Sequence, residues 1–159
     1  MPSPPLIDFA TIDLEKVVTG KEELYTILRQ AGTFAVLDGI CHFEPDGDVV
    51  VGFKDIRADD WWAADHIPGR PLFPGALMIE SGAQVCSYDY MRKVGDLGDR
   101  FLGFGGLGET RFRGAVEPGV RMYFAGKVNR VRKSMFIYDA QGFVDGKLVF
   151  ETQVKGVVF

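Results

Sequence analysis

The stretch from Gly75 to Lys93 constrains the fold more strongly than any other part of the sequence. It has the composition of a long helix, and for about four turns its only charged residues are Glu80 and Asp89. A helix that is apolar on all sides is normally buried by other elements rather than laid on a surface. We therefore expect a central helix that the rest of the chain surrounds.

Most of the remaining chain has the pattern of β-strands joined by turns. The predicted strands run from residue 33 to a turn at 45–48, and then over 49–56, 101–104, 109–112, 119–131, 134–144 and 147–158. Asp145-Gly146 between two alternating runs is typical of a type I′ hairpin. Consecutive hairpins indicate an antiparallel sheet. The sequence thus predicts an α+β fold in which a curled antiparallel sheet wraps around the long central helix.

A short helix is predicted before the first strand. Thr19 and Glu22 have the spacing of a capping box, in which each side chain bonds a free amide of the other residue. The helix is predicted over residues 20–30, and Gly32 is expected to end it. Residues 57–74, which contain three prolines and no steady period, are predicted to form a connecting loop.

Length and composition favour one soluble domain. A chain of 159 residues fits a single domain, and we predict one over residues 1–159 that begins with an irregular arm over residues 1–18. Cys41 and Cys86 have neither disulfide nor metal-ligand spacing, which favours a reducing compartment. The first residues lack the features of a signal peptide, and no apolar run reaches the ~20 residues of a membrane span. We expect a cytoplasmic protein with no metal and no membrane partner.

Charge is unevenly distributed along the chain. A net charge of −4 argues against general nucleic-acid binding. Residues 1–99 hold 8 basic and 17 acidic side chains, whereas residues 100–159 hold 10 basic and 5 acidic ones. The basic C-terminal third is consistent with docking of an acidic partner. Lysine and arginine on the solvated faces of strands are the more common explanation, and both interpretations stay open at this point.

The residues from Gly103 to Gly108 match the letters of a dinucleotide-binding motif, GxGxxG. That motif requires a helix to open at its third glycine, because helix amides bind the pyrophosphate. The residues that follow here have the pattern of a strand and a turn. We interpret the glycines as positions of close backbone approach or of a bulge within a strand, and we expect no nucleotide cofactor.

Glu80 is the most informative acid in the sequence. A carboxylate buried without a partner is costly or keeps its proton, and Gln84 lies one helical turn further on, within reach of a hydrogen bond. His66 precedes a loop that prolines stiffen. Gly75 presents a bare amide at a helix N-terminus, which favours an oxyanion. A base, an acid and an oxyanion donor in one stretch suit proton transfer next to a carbonyl. His42 lies in a strand and receives no role.

Three blocks of the sequence resemble a known enzyme family. Residues 66–80, followed by Ala83-Gln84, resemble HFPxxPxMPGxLxxE and AQ, the active-site motif of the 3-hydroxyacyl-(acyl carrier protein) dehydratases. Residues 104–119 resemble the family's FxGIxxxRFRxPVxPGD, and residues 32–38 resemble its YPFLLVD strand more loosely. The three blocks occur in the family's order, and the resemblance covers about residues 21–159.

The resemblance implies a hot-dog fold and the dehydration of 3-hydroxyacyl thioesters on acyl carrier protein to trans-2-enoyl thioesters in fatty acid biosynthesis, without a cofactor. It implies that His66 is the general base and that Glu80, kept protonated by its apolar surroundings, is the acid. Gly75 N–H would polarise the thioester carbonyl, and Gln84 would hold the carboxyl of Glu80. Which of the two catalytic groups handles the water stays open.

The resemblance also implies partners. The family pairs the histidine of one protomer with the glutamate of the other, so it implies a homodimer with shared active sites and leaves a trimer of dimers open. The phosphopantetheine-linked acyl chain would arrive on acidic carrier protein. Candidate docking residues in the basic C-terminal third are Arg111, Arg113, Arg130, Arg132 and Lys133.

The chain departs from the family pattern near the histidine. Asp65 replaces a glycine, Ile67 a phenylalanine and Phe73 a methionine, which leaves the acyl chain length and the effect on the histidine open. Glu80 matches the general dehydratase branch, whereas the branch that also isomerises the double bond carries aspartate. A dehydratase-isomerase, a hot-dog thioesterase and a non-catalytic acyl-binding protein remain as alternatives.

Overall fold

The computed structural model describes all residues from Met1 to Phe159. The helices are α1 (Lys21–Ile27) and α2 (Gly75–Val94), and 3-10 turns occur at Phe9–Thr11 and Gly32–Phe34. The strands are β1 (Thr19–Gly20), β2 (Gly39–His42), β3 (Val49–Ile56), β4 (Leu102–Leu107), β5 (Arg111–Phe112), β6 (Val120–Arg132), β7 (Met135–Val144) and β8 (Lys147–Val158). Neither helix combines the length and the apolar character that crossing a membrane requires.

All eight strands form one antiparallel sheet in the order β1-β2-β3-β6-β7-β8-β4, with β5 paired to β8. The turn between β7 and β8 has positive φ values at Asp145 and Gly146, 49° and 75°, as a type I′ hairpin requires. The predicted antiparallel sheet is confirmed. Not every strand pairs with its neighbour along the chain, because α2 separates β3 from β4, and β4 pairs with β8 at the far edge.

Helix α2 packs against one face of the sheet, as the sequence predicts. The core between them contains Val85, Tyr88, Met122, Phe124 and Phe150. A Cβ on Gly126 of β6 would lie 2.9 Å from the Cys86 sulfur, so the glycine lets helix and strand approach closely. The helix ends at Gly95, whose φ of 81° suits a residue without a side chain. The predicted central helix is therefore confirmed, and its end lies one residue beyond the expected one.

The N-terminal arm covers the other face of the sheet. The Phe9 ring contacts the Phe143 ring edge-on, with 4.8 Å between centroids. Gln141 holds the arm at two points: its Oε1 accepts from the Leu6 N–H over 2.8 Å, and its Nε2 donates to the Pro4 carbonyl over 3.0 Å. Gln141 is itself buried, so these bonds tie the arm firmly to the strands beneath it.

The capping box predicted at Thr19 and Glu22 is wrong. Thr19 belongs to β1, and its hydroxyl shares a 2.7 Å hydrogen bond with the Tyr88 hydroxyl in the core. Helix α1 therefore starts after Gly20, and no side chain caps it. The helix is also shorter than predicted, because it ends at Ile27 rather than near residue 30.

The strand predicted from residue 33 begins only at Gly39. Residues Gly32–Phe34 instead form a 3-10 turn, and Gly32 has a φ of 58°. The Phe34 side chain is exposed, so the alternation that suggested a strand does not reflect a buried face. The Phe34 carbonyl accepts from the Gln84 side chain, and only Asp38, directly before β2, bonds β3 through its N–H.

The glycine-rich residues 103–108 lie in and directly after β4. A Cβ on Gly105 would overlap the Val157 side chain of β8. The pairing of β4 with β8 shifts register between Phe104 and Gly106. The glycines thus permit close backbone approach and a bulge, as the strand interpretation predicts.

Candidate active site

The loop before α2 carries His66 and is held in place by buried aromatic side chains. Trp62 is buried and packs edge-on against Phe73, with 5.3 Å between ring centroids. The His66 N–H donates to the Trp62 carbonyl over 2.9 Å, and the Phe73 N–H donates to the Val116 carbonyl over 2.8 Å. The backbone is therefore fixed on both sides of the histidine, as a positioned reactive group requires.

The hydrogen bond of the His66 ring determines its tautomer. Nδ1 lies 2.8 Å from the Leu72 carbonyl oxygen, and a carbonyl oxygen can only accept a hydrogen bond. Nδ1 must therefore carry a proton, so in the neutral ring the free lone pair is on Nε2. This half-buried ring has the geometry of a group that accepts a proton at Nε2.

Asp65 and Ile67, which flank His66 and depart from the family pattern, affect their surroundings differently. Asp65 is exposed, and Nδ1 of the His66 ring bonds the Leu72 carbonyl rather than the Asp65 carboxylate. Ile67 has a φ of 57°, which costs a β-branched residue about 1–3 kcal/mol. The backbone strain is therefore adjacent to the candidate base, whereas the extra carboxylate faces solvent.

Gly75 begins α2, and its N–H has no hydrogen-bond partner. A Cβ on this residue would lie 2.8 Å from the Phe112 ring of β5, so the position has no room for a side chain. Partial positive charge collects at the N-terminus of a long helix. An unpaired amide there can bind an oxyanion or a thioester carbonyl oxygen.

Glu80 lines a cavity of about 90 Å³ beside α2. Its Oε1 accepts a hydrogen bond from Gln84 Nε2 over 2.8 Å, which confirms the contact predicted from their spacing. The side chain is half-buried, so it is less enclosed than the apolar composition of the helix suggests. Further lining residues are Ala83, Ser87, Phe104, Phe136 and Val154.

Gln84 is itself held by two groups outside the helix. Its Nε2 donates to the Phe34 carbonyl over 2.8 Å, and its Oε1 accepts from the Tyr25 hydroxyl over 2.6 Å. The Tyr25 oxygen also accepts the Leu37 N–H over 2.8 Å. Sequence reasoning missed Tyr25, because it lies 59 positions before Gln84 in a helix that shows no chemical motif.

His66 is not among the residues that line the Glu80 cavity. That cavity adjoins a second one of about 230 Å³, and the two share Gln30, Ser87 and Leu102. The second cavity is lined mainly by apolar side chains, such as Met91 and Phe101. Within one chain, the acid thus faces a cleft that continues into apolar space, while the histidine lies outside that cleft.

The five candidate docking residues fall into two groups. Arg111 forms an ion pair with Glu109, and Arg113 forms one with Glu151 over 2.9 Å. The Arg113 guanidinium also holds the pKa of Glu151 below its ordinary value. The other group, Arg130, Arg132 and Lys133, is exposed at the hairpin between β6 and β7 and makes no ion pair. No three His, Cys, Asp or Glu side chains are arranged to hold a metal ion.

The sequence is similar to a family model described as FabA-like domain, which matches residues 28–153. It is 32% identical to a 3-hydroxyacyl-(acyl-carrier-protein) dehydratase FabZ of Campylobacter jejuni over 139 residues, which cover 86% of this chain and 94% of the relative. A protein of the same name from Escherichia coli is 30% identical over 132 residues, with 82% and 86% of the two chains covered.

Solved structures share the architecture. The dehydratase heterocomplex ApeI:P from Xenorhabdus doucetiae matches with a TM-score of 0.70 at 13% identity, over 84% of this chain and 89% of that chain. A mutant thioesterase PA1618 from Pseudomonas aeruginosa matches with a TM-score of 0.63 at 14% identity, over 92% and 98% of the two chains. Likeness at these identities concerns the fold alone. It confirms the hot-dog arrangement of a curled sheet around a central helix.

Proposed function

Because this chain belongs to the FabA-like domain family, we propose that it dehydrates 3-hydroxyacyl thioesters on acyl carrier protein to trans-2-enoyl thioesters in fatty acid biosynthesis. The observation that carries the proposal is how His66 and Glu80 are hydrogen-bonded, because each keeps one atom free for substrate. His66 bonds a carbonyl through Nδ1, which leaves Nε2 as a base, and Glu80 accepts an amide N–H on one oxygen, which leaves the other for substrate. The names of the similar dehydratases support the substrate class.

In the proposed reaction the substrate loses a proton from C2 and the hydroxyl from C3. His66 Nε2 removes the C2 proton, while the Gly75 N–H stabilises the negative charge that develops on the thioester oxygen. Glu80 donates its proton to the departing hydroxyl, which leaves as water as the C2–C3 double bond forms. The imidazolium then returns the proton to the Glu80 carboxylate, which restores both groups for the next turnover.

A homodimer with shared sites is part of the proposal, since His66 does not line the cleft of its own Glu80. Two features support a second copy of the chain. Strand β4 pairs only with β8, so its other edge offers unpaired backbone groups. Large apolar side chains on and near β4 and β5 are 42–58% exposed: Phe101, Phe104, Leu107, Phe112 and Phe159. An apolar surface of this kind typically marks an interface.

The carrier protein is proposed to dock at Arg130, Arg132 and Lys133. These three cations are exposed and unpaired, whereas Arg111 and Arg113 are engaged with glutamates. Reversing Arg130 and Arg132 to glutamate should raise KM for carrier-bound substrate and leave turnover of a small pantetheine thioester unchanged, because rim charges act mainly on encounter. Lys16→Glu in the arm is the matched control. An unchanged KM in the Arg130→Glu, Arg132→Glu variant would remove the docking surface from the proposal.

The test of the function is enoyl absorbance during incubation with a 3-hydroxyacyl thioester of acyl carrier protein. The wild type should form enoyl thioester, and His66→Ala should lose about 100- to 10,000-fold in kcat. His42→Ala removes the other histidine, which lies in β2, and should keep the wild-type rate. A wild-type rate in His66→Ala would refute the assigned base. Release of free thiol without enoyl product would identify a thioesterase instead.

A further inference from the structure

Both N–H groups and the oxygen of the Gln84 side-chain amide form hydrogen bonds. Its two N–H groups donate to Glu80 Oε1 and to the Phe34 carbonyl, and its oxygen accepts from the Tyr25 hydroxyl. Gln84 is only 1% exposed, so water cannot replace these partners. The amide therefore has one orientation that satisfies all of its neighbours.

The direction of each hydrogen bond follows from the chemistry of the partners. The Phe34 carbonyl can only accept, so the nitrogen end of Gln84 must face it. The Tyr25 oxygen accepts the Leu37 N–H and has one proton of its own to donate, for which Gln84 Oε1 is the acceptor within 2.6 Å. A flipped amide would turn its oxygen toward Glu80 and toward the Phe34 carbonyl, and would leave the Tyr25 proton facing an N–H group.

We propose that Tyr25 is a positioning residue that acts through Gln84 on the reacting carboxyl of Glu80. The inference rests on the proposed function, in which Glu80 is the acid. Tyr25 holds the amide so that an N–H faces Glu80 Oε1, and Oε2 is then the oxygen that carries the proton to substrate. The donor is a neutral amide, which orients the carboxyl through one directed hydrogen bond.

The surroundings of Tyr25 suit this role. Leu24 and Leu28 on either side of it are buried and anchor α1 in the core, which fixes the direction of the Tyr25 ring. Burial raises the pKa of the Tyr25 hydroxyl well above its ordinary value. The hydroxyl therefore remains a donor at any pH at which the reaction is measured.

The kinetic test is a double-mutant cycle of Tyr25→Phe with Gln84→Leu, read as kcat and KM for a 3-hydroxyacyl thioester. Tyr25→Phe should lower kcat about ten-fold with little change in KM, since a loss of that size corresponds to about one neutral hydrogen bond. In the Gln84→Leu background, Tyr25→Phe should have no further effect, because the two residues act as one unit. An equal loss in both backgrounds, or no loss in the wild-type background, would overturn the proposal.

Tyr88→Phe is the matched control. Its buried hydroxyl also bridges two partners, Thr19 and Arg92, but it has no connection to Glu80. Both tyrosine variants should lower the melting temperature to a similar extent, and only Tyr25→Phe should lower kcat. An equal fall of kcat in Tyr88→Phe would show that the loss follows stability, and would refute a positioning role.

A second readout does not depend on turnover. The side-chain amide resonances of Gln84, recorded by ¹⁵N NMR on the full chain, should exchange slowly with solvent in the wild type and much faster in Tyr25→Phe. Unchanged Gln84 resonances would refute the inference even in an active enzyme. If the wild type formed no enoyl product but Gln84 exchange were still faster in Tyr25→Phe, the proposed function would be refuted and the coupling of Tyr25 to Gln84 would stand.

Discussion

The two acids of helix α2 occupy contrasting environments, although each has a hydrogen-bond partner one turn further along. Glu80 is half-buried, lines a cavity and accepts from the neutral amide of Gln84. Asp89 is completely buried, accepts from the Lys93 ammonium over 2.7 Å and also accepts from the Tyr138 hydroxyl. The chemical character of the partner therefore differs, even though the spacing is the same.

This difference separates an acid suited to reaction from an acid suited to structure. Lys93 balances the charge of Asp89 and also donates to the Gly47 carbonyl, so the pair links the end of α2 to the turn before β3. Glu80 forms no ion pair, and it lines a cleft together with Lys155. An acid that bonds a neutral amide and lines a cleft is suited to proton transfer. An acid in a buried charge pair is suited to holding two parts of the fold together.

The largest expected effect is on catalysis at Glu80. Glu80→Gln keeps the size of the side chain and its acceptor for Gln84 but removes the transferable proton. We expect kcat to fall about 100- to 10,000-fold, with the thermal unfolding midpoint nearly unchanged. Glu44→Gln makes the same substitution at an exposed residue next to a turn, so it is the matched control and should keep the wild-type kcat. If Glu80→Gln retained the wild-type kcat, the contrast between the two acids would have no catalytic meaning.

The opposite result is expected at Asp89. Asp89→Ala leaves the Lys93 ammonium without its carboxylate in a largely buried position, and removing one member of such a pair costs about 3 kcal/mol or more. Urea unfolding should show this loss, while kcat of the folded enzyme changes little. Asp99→Ala on the exposed loop after α2 should cost under about 0.5 kcal/mol. An Asp89→Ala variant with unchanged stability would show that the pair does not support the fold.

A smaller effect on rate is expected at the start of the same helix. Gly75→Ala would force a Cβ against the Phe112 ring, 2.8 Å away, and so displace either the ring or the amide. We expect kcat to fall by roughly ten-fold, because modest misplacement of a reacting geometry is costly. Gly20→Ala, where a Cβ would meet no atom within 4 Å, is the matched control. Equal rates in the two variants would remove the Gly75 amide from the mechanism.

The smallest effect is expected at Asp65. Its carboxylate is exposed and the His66 ring nitrogen nearest the backbone already bonds the Leu72 carbonyl. Asp65→Asn should therefore change kcat less than about two-fold, since solvent weakens the interactions of an exposed charge. Stopped assays at several ionic strengths would measure kcat of the wild type and of Asp65→Asn. A fall of ten-fold or more would mean that Asp65 influences the base after all.

Local sequence patterns predict those helices, strands and turns whose formation depends on residues close together in the chain. The long apolar helix, the strand β3 and the Asp145-Gly146 turn lie at or within one residue of their predicted positions, because periodicity and turn chemistry act over a few residues. The candidate base and acid, His66 and Glu80, are predicted for the same reason. They come from a single contiguous stretch with a recognisable motif.

The remaining features depend on contacts between distant parts of the chain. Thr19 has the spacing of a helix cap, but a hydrogen bond to Tyr88 in the core is available to it only once the sheet has formed. Tyr25 reaches Gln84 through the packing of α1 on α2, which no short-range pattern reveals. The exposed or buried state of Phe34 likewise depends on the 3-10 turn around it.

The central claim is that Glu80 of one copy works with His66 of another, and mixing two inactive variants tests it most directly. Equal amounts of His66→Ala and Glu80→Gln, unfolded together and refolded, should form mixed dimers in which one of two sites is intact. We predict recovery of about a quarter of the wild-type dehydratase rate, since random pairing makes half of the dimers mixed. A mixture as inactive as its parents would contradict the shared site.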